Sequence, residues 1–166
     1  MRSSHKPKGE CSVGMTGYEG FLVEGYAYPL KHATPTLEDL FNEDESPKLV
    51  EMKRLHTYVA KLLYLAKQTR PECLVATLFL CTRVTSTMQD QKKLDRAIGH
   101  LRGTPNRTVT LRPGKMGIVP RLYVDASYGV HADGKSHTIV MMMKEGERIY
   151  ILPTASIIPA RPGDHH

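Results

Sequence analysis

VAKLLYLAKQTRPECLVATLFLCTRV, residues 59 to 84, is the stretch whose reading decides the fold. Taken with Leu55 just upstream, Val59, Leu62, Leu63 and Ala66 recur at spacings of three and four, which places them on one stripe of a helix beginning near Met52. Lys53, Lys61 and Lys67 fall on its other face. Pro71 disfavours helical geometry at Arg70 and so ends this helix, yet it suits the first turn of a second one. There Leu74, Val75, Leu78 and Phe79 make the buried stripe, extended by Cys81 or Thr82. Two helices joined this tightly are expected to pack antiparallel.

Downstream, a third helix is predicted from about Thr87 to Leu101, with Leu94, Ala97, Ile98 and Leu101 facing inward. Gly103 is placed to close it in the left-handed conformation. The outer face carries Lys92, Lys93, Arg96 and Arg102. After it the apolar period changes to two, and RTVTLRP (107–113), IVPRLYVDAS (118–127), HTIVMMM (137–143) and ERIYIL (147–152) read as strands. The expected class is α+β, a three-helix module followed by an incomplete antiparallel sheet. Four segments are drawn: an acidic, largely irregular linker over residues 1–46, a basic three-helix module over 47–104, partial strands over 105–152, and an irregular tail over 153–166. The first is punctuated by glycine and proline, with YEGFLVEGY (18–26) able to form a short amphipathic piece that its two internal glycines weaken, and the last holds three prolines and no helical stripe.

The chain has 166 residues and a formal net charge of +6, with 40% apolar residues, 11 prolines and no tryptophan. This describes a soluble, loop-rich chain with a limited core. Charge is unevenly placed. Residues 1–46 hold 4 Lys/Arg against 8 Asp/Glu, residues 48–121 hold 15 against 4, and residues 122–166 hold 4 against 5. A basic middle block is the electrostatic footprint of a segment that lies along phosphates. No run approaches the roughly 18 apolar residues of a membrane span, and the N-terminus has no apolar signal region. The expected setting is cytoplasmic, without a membrane partner. Cys11, Cys73 and Cys81 lack zinc-ligand spacing and are expected to be reduced and structural.

VAKLLYLAKQTRPECLVATLFLCTRV (59–84), KKLDRAIGHLRGT (92–104) and LYVDASYGVHADGKSHT (122–138), in that order, resemble the polymerase polyprotein of copia-type LTR retrotransposons, at the junction between reverse transcriptase and ribonuclease H. ATPTLEDLFNEDESPKL (33–49) is similar to the connector before those helices, so the resemblance covers roughly residues 12 to 140. It implies helices that follow the polymerase palm and contact template-primer, and a strand that opens the ribonuclease H sheet with Asp125 as its first carboxylate. The chain departs from the family at Ile139, where a glycine is usual, and stops before the helix bearing the family's glutamate. A truncated fragment is therefore expected.

Ribonuclease H chemistry needs two divalent ions held by several carboxylates, magnesium in the intact parent enzyme. Asp125 alone does not supply them, and Asp133, Glu145, Glu147 and Asp164 are expected in turns or the tail. Asp125 is read as vestigial, with no cofactor and no metal unless partners are supplied. YVDA (123–126) differs by one residue from the YVDD of polymerase palms, but Ala126 removes the second aspartate. His131 and His137 lack helical zinc spacing. GVHADGKS (129–136) matches a phosphate-loop pattern formally, but strand-like residues follow where that loop requires a helix. What remains is weak, sequence-independent binding of an RNA–DNA hybrid or template-primer through Lys61, Lys67, Arg70, Lys92, Lys93, Arg96 and Arg102. The alternative is an inert or repurposed protein-interaction module with a solvated basic face. A sheet left uncovered on one side, with IVMMM (139–143) exposed, favours self-association.

Overall fold

The computed structural model describes residues 2–5, 10–42, 47–48, 51–83, 85–111, 120–127, 136–144 and 152–158. They fall into two units, residues 1–112 and 113–166.

The first unit is built on four α-helices: α1 (Thr16–Tyr26), α2 (Met52–Gln68), α3 (Leu74–Cys81) and α4 (Met88–Gly103). The amphipathic period set α2 as read, with Leu55, Val59, Leu62 and Ala66 buried. Leu65 joins them, while Leu63 is only half-buried. A 3-10 turn over Pro71–Cys73 leads into α3, so proline does stand at the first turn. α3 has no polar face. Ala76, Thr77, Leu78, Phe79 and Leu80 are all buried, because a helix apolar all round is covered on most sides, while Val75 and Cys81, expected in the buried stripe, are exposed. Leu94, Ala97, Ile98 and Leu101 of α4 are fully buried, as expected. Its start is fixed by a capping box: the Thr87 hydroxyl accepts the Asp90 N–H at 3.3 Å and the Asp90 carboxylate accepts the Thr87 N–H at 2.9 Å.

The N-terminal third departs from the expected irregular linker. α1 buries Leu22, Val23 and Tyr26 in the same core. Tyr26 donates to Asp95 of α4 at 2.6 Å and meets Tyr58 of α2 edge-on at 4.7 Å. Two internal glycines lower the intrinsic helix propensity, and these tertiary contacts outweigh that loss. Ala27 closes α1 in the left-handed region at φ 59°, where glycine is usual.

A second departure concerns the strands. β1 (Arg2–His5), β2 (Cys11–Gly14) and β3 (Thr108–Leu111) form an antiparallel sheet in the order β1-β2-β3. The strand after α4 therefore pairs with the N-terminus of the first unit, Cys11 opposite Leu111 and Gly14 opposite Thr108. The Ser12 and Thr110 hydroxyls bond across the pair at 3.2 Å.

In the second unit β4 (Pro120–Ser127), β5 (Ser136–Lys144) and β6 (Leu152–Ile158) make an antiparallel meander. Asp125 sits opposite Ile139 and Ser136 opposite Ile158. The expected tail over 153–166 is corrected in part, because Leu152–Ile158 is a strand. β6 pairs on one side only, and an edge strand tolerates Pro153 because its missing N–H need not serve a second neighbour. Residues 147–151 of the expected fourth strand lie outside the described residues. No helix among the described residues is long and apolar enough to cross a membrane.

Gly103 is also not the left-handed cap that was expected. α4 runs through it and ends at Thr104, φ −132°. Its hydrogen faces the chain that crosses α4 at residues 28–32, and a Cβ there would stand 2.9 Å from the His32 carbonyl oxygen. Gly99, one turn earlier, is packed more tightly: a Cβ would lie 2.5 Å from His32 Cδ2 and 2.9 Å from the Leu30 carbonyl. The His32 N–H donates to the Gly99 carbonyl at 3.1 Å, which ties this crossing segment to the helix. Gly99→Ala is therefore expected to destabilise the protein by roughly 1–3 kcal/mol, against the approximately 1 kcal/mol that alanine gains in an unobstructed helix. Urea denaturation measures the sign, and a more stable variant would show that the segment yields freely.

Candidate nucleic-acid interface

The seven cations read as a phosphate-binding face do not form one surface. Lys67 and Lys92 are exposed on α2 and α4. Lys61 is half-buried, its ammonium 4.9 Å from the Tyr58 ring centre and 5.4 Å from that of Phe21. Arg96 donates to the Thr34 hydroxyl at 2.9 Å and Arg102 to the Val23 carbonyl at 3.2 Å, so each ties α4 to an upstream segment. Lys93 is only 9% exposed, donates to the Asn42 carbonyl at 2.7 Å and lies 4.4 Å from the centre of the Phe79 ring.

Arg70 is fully buried. Its Nε donates to Glu72 Oε1 at 2.7 Å, Nη1 to Glu19 Oε1 at 2.7 Å and to the Thr104 carbonyl at 3.1 Å, and Nη2 to the Thr104 hydroxyl. A guanidinium removed from water must have its fork of donors answered. Here the turn after α2, α1 and the residue that caps α4 all answer it. Arg70 and Lys93 are thus corrected from surface contacts to interior ones. Sequence spacing favoured the surface reading because a basic residue beside a helix end is usually solvated, and the decisive partner, Glu19, is 51 residues away.

Electrostatics follow from this enclosure. Burial pushes the Glu72 carboxyl up, but the Arg70 hydrogen bond, its own backbone N–H and the charges of Arg70 and Arg107 pull it below the usual carboxylate range. For Glu19 burial dominates and the carboxyl lies above its ordinary value, the Arg70 bond and charge offsetting only part. Desolvation lowers Arg70, and its two carboxylate partners more than restore it, so the guanidinium stays charged.

Exposed Lys92 and half-buried Arg96 border a shallow cavity of about 220 Å³ between α4 and the segment 28–40. Tyr28, His32, Leu37, Lys92 and Arg96 line it, the Tyr28 hydroxyl 3.1 Å from His32 Nε2 and the two rings stacked at 6.0 Å. Asp39 adds one acidic group to the rim. Sequence reading missed the aromatic side of this cavity, since Tyr28 and His32 stand in a stretch without periodicity.

Asp125 lies in β4, the side chains of which are outside the described residues. His131 and residues 129–135 of the phosphate-loop-like stretch are likewise outside them, and the segment after Gly134-Lys135 is strand β5, with no helix to face a phosphate. No family model matches the chain, and neither curated proteins nor solved structures give a match.

Two measurements test the Arg70 cluster. Arg70→Met is expected to cost about 3–5 kcal/mol, because Glu19 is left buried without its partner, while Arg70→Met with Glu19→Met recovers most of that loss. Equal instability of the single and double variants in urea would show that packing, not charge, sets the cost. Glu72→Gln should be less stable than the parent at neutral pH by roughly 1–3 kcal/mol. A carboxyl depressed in the fold contributes stability that is full above its unfolded value, about 4.3, and is lost as pH falls through the folded value. The gap between parent and Glu72→Gln should therefore close on acidification below about pH 4, and a gap independent of pH would refute the assignment.

Proposed function

We propose that this chain derives from the reverse transcriptase–ribonuclease H junction of a copia-type retrotransposon polymerase, and that what it retains is weak, sequence-independent binding of an RNA–DNA hybrid or template-primer. The observation that carries the reading is the exposure of four cations on two helices, Lys53, Arg54 and Lys67 on α2 and Lys92 on α4. Lys61, Arg96 and Arg102 are half-exposed. The meander of β4, β5 and β6, with Asp125 in its first strand, agrees with the expected opening of a ribonuclease H sheet and supports the ancestry. Magnesium chemistry at Asp125 belongs to the parent enzyme in this reading, because one carboxylate does not set the two-ion geometry.

A second reading keeps support from a specific finding. Arg70 and Lys93 are spent on internal bonds, which lowers the free charge and suits an inert or repurposed interaction module. Exposed Phe21, 63% open to solvent, and Tyr64, 52% open, flank the helical surface on which a protein partner would seat.

Fluorescence anisotropy with a labelled RNA–DNA hybrid distinguishes them. Binding should weaken linearly in log–log form as salt rises, with a slope of about 0.9 for each phosphate neutralised. Lys53→Glu and Lys67→Glu together should reduce that slope by roughly two and lower low-salt affinity at least tenfold. Retention that is absent at low salt, or indifferent to both substitutions, would sink the binding reading and leave the interaction module.

A further inference from the structure

Next to the Arg70 fork lies a group that the nucleic-acid reading does not use. Among the described residues, Glu72, Cys73 and His100 bring a carboxylate oxygen, Sγ and a ring nitrogen within 4.8 Å of one another. Glu72 and Cys73 come from the 3-10 turn after α2, and His100 comes from the last turns of α4. Cys73 is fully buried and His100 is 3% exposed.

His100 is the independent signal. Neither ring nitrogen has a hydrogen-bond partner, although both are buried. Nε2 points at Glu72 Oε1 from 3.6 Å, beyond the reach of a hydrogen bond. An imidazole sealed from water normally has at least one nitrogen satisfied, and one that does not calls for a ligand or an ion. The spacing of the imidazole and the carboxylate suits an ion. Zinc bonds to nitrogen and oxygen are about 2.0–2.1 Å, which puts two such donors of one tetrahedron roughly 3.3–3.4 Å apart. The 3.6 Å gap needs a shift of only a few tenths of an ångström.

We infer that Glu72, Cys73 and His100 form a binding site for one borderline-soft divalent cation of the Zn²⁺ class, which clamps the turn after α2 to the end of α4. Sulfur, imidazole and carboxylate together are a zinc-type donor set, unlike the all-oxygen sets of magnesium and calcium. Most of the added charge is offset, leaving the group one net positive charge. Arg70 and Arg107 address the carboxylate at 2.7 and 3.5 Å, Glu19 offsets Arg70, and the cation is offset in part when Cys73 gives up its proton. Without metal that thiol is neutral, since burial pushes it up to about 12. Metal entry therefore releases one proton to solvent as the S–M bond forms, with no change of oxidation state. Arg70, Arg107 and His100 all face Glu72 Oε1, so a cation on that oxygen moves the arginines to Oε2 of the same carboxylate.

Cobalt(II) is the probe, since a thiolate ligand gives it a near-ultraviolet charge-transfer band that imidazole and carboxylate do not. The full chain is used with Cys11→Ser and Cys81→Ser, which leaves Cys73 as the single thiol and touches no buried position. One equivalent of Co²⁺ should develop the band, Zn²⁺ should abolish it by displacement, and thermal unfolding should move upward with either metal. Glu72→Gln and His100→Asn should each weaken Co²⁺ binding at least about tenfold, with the far-ultraviolet circular dichroism of each confirming that it folds. If His100→Asn does not fold, Glu72→Gln with its partly accessible side chain decides alone. Binding without the band, which surface histidines would give, overturns the inference. So does the absence of binding, or an affinity unchanged in the folded variants.

Discussion

The buried guanidinium of Arg70 is the constraint around which the first unit is arranged. Three separate segments bring it acceptors: Glu19 from α1, Glu72 from the turn after α2, and Thr104 just past α4. An unanswered arginine in the interior would cost several kcal/mol, so these segments are held in register by a polar requirement and not only by apolar packing. Hydrophobic burial alone is tolerant of sliding. Directional bonds to one planar group are not, and they fix where α1 lies against the α2–α4 pair. The Thr87–Asp90 cap does a similar service at the other end of α4, where Asp90 also receives Arg83 at 3.3 Å.

This arrangement explains which parts of the fold were legible in the sequence. Helices α2 and α4 and the proline at the start of α3 were readable because each depends on local spacing: Leu55, Val59, Leu62, then Leu94, Ala97, Ile98, Leu101. The N-terminal third was legible only as a short amphipathic possibility over residues 18–26, since α1 is weak by propensity and depends on Tyr26 and Glu19, whose partners Asp95 and Arg70 lie 69 and 51 residues away. Thr108–Leu111 was legible as a strand but not its partner, because alternation identifies an element and says nothing about which edge it joins. Pro153–Ile158 was read as part of an irregular tail because prolines were weighed as breakers without knowing that the strand was an edge.

The candidate interface shows the same limit. Counting cations found the basic block but could not sort it. Arg70 and Lys93 are interior, Arg96 and Arg102 fasten α4 to upstream backbone, and Lys67 and Lys92 face solvent. Net charge belongs to composition, whereas availability of charge belongs to tertiary structure. Gly99 and Gly103 carry an analogous lesson: their sequence context suggests helix weakness and a cap, while their use is to admit the backbone of residues 30–32 onto the helix.

The pairing of β2 with β3 has a further consequence for how the unit is made. Ser12 and Thr110 meet across a separation of 98 residues, with every helix of the unit lying between them. Closing so long a loop costs entropy that falls once the intervening chain is compact. On a ribosome, the N-terminal strand must therefore wait until the segment beyond α4 has emerged, by which time the helical core is available as a scaffold. The sheet is the last seam of the unit to be sewn, and an interruption of synthesis before residue 108 leaves β2 with an open edge.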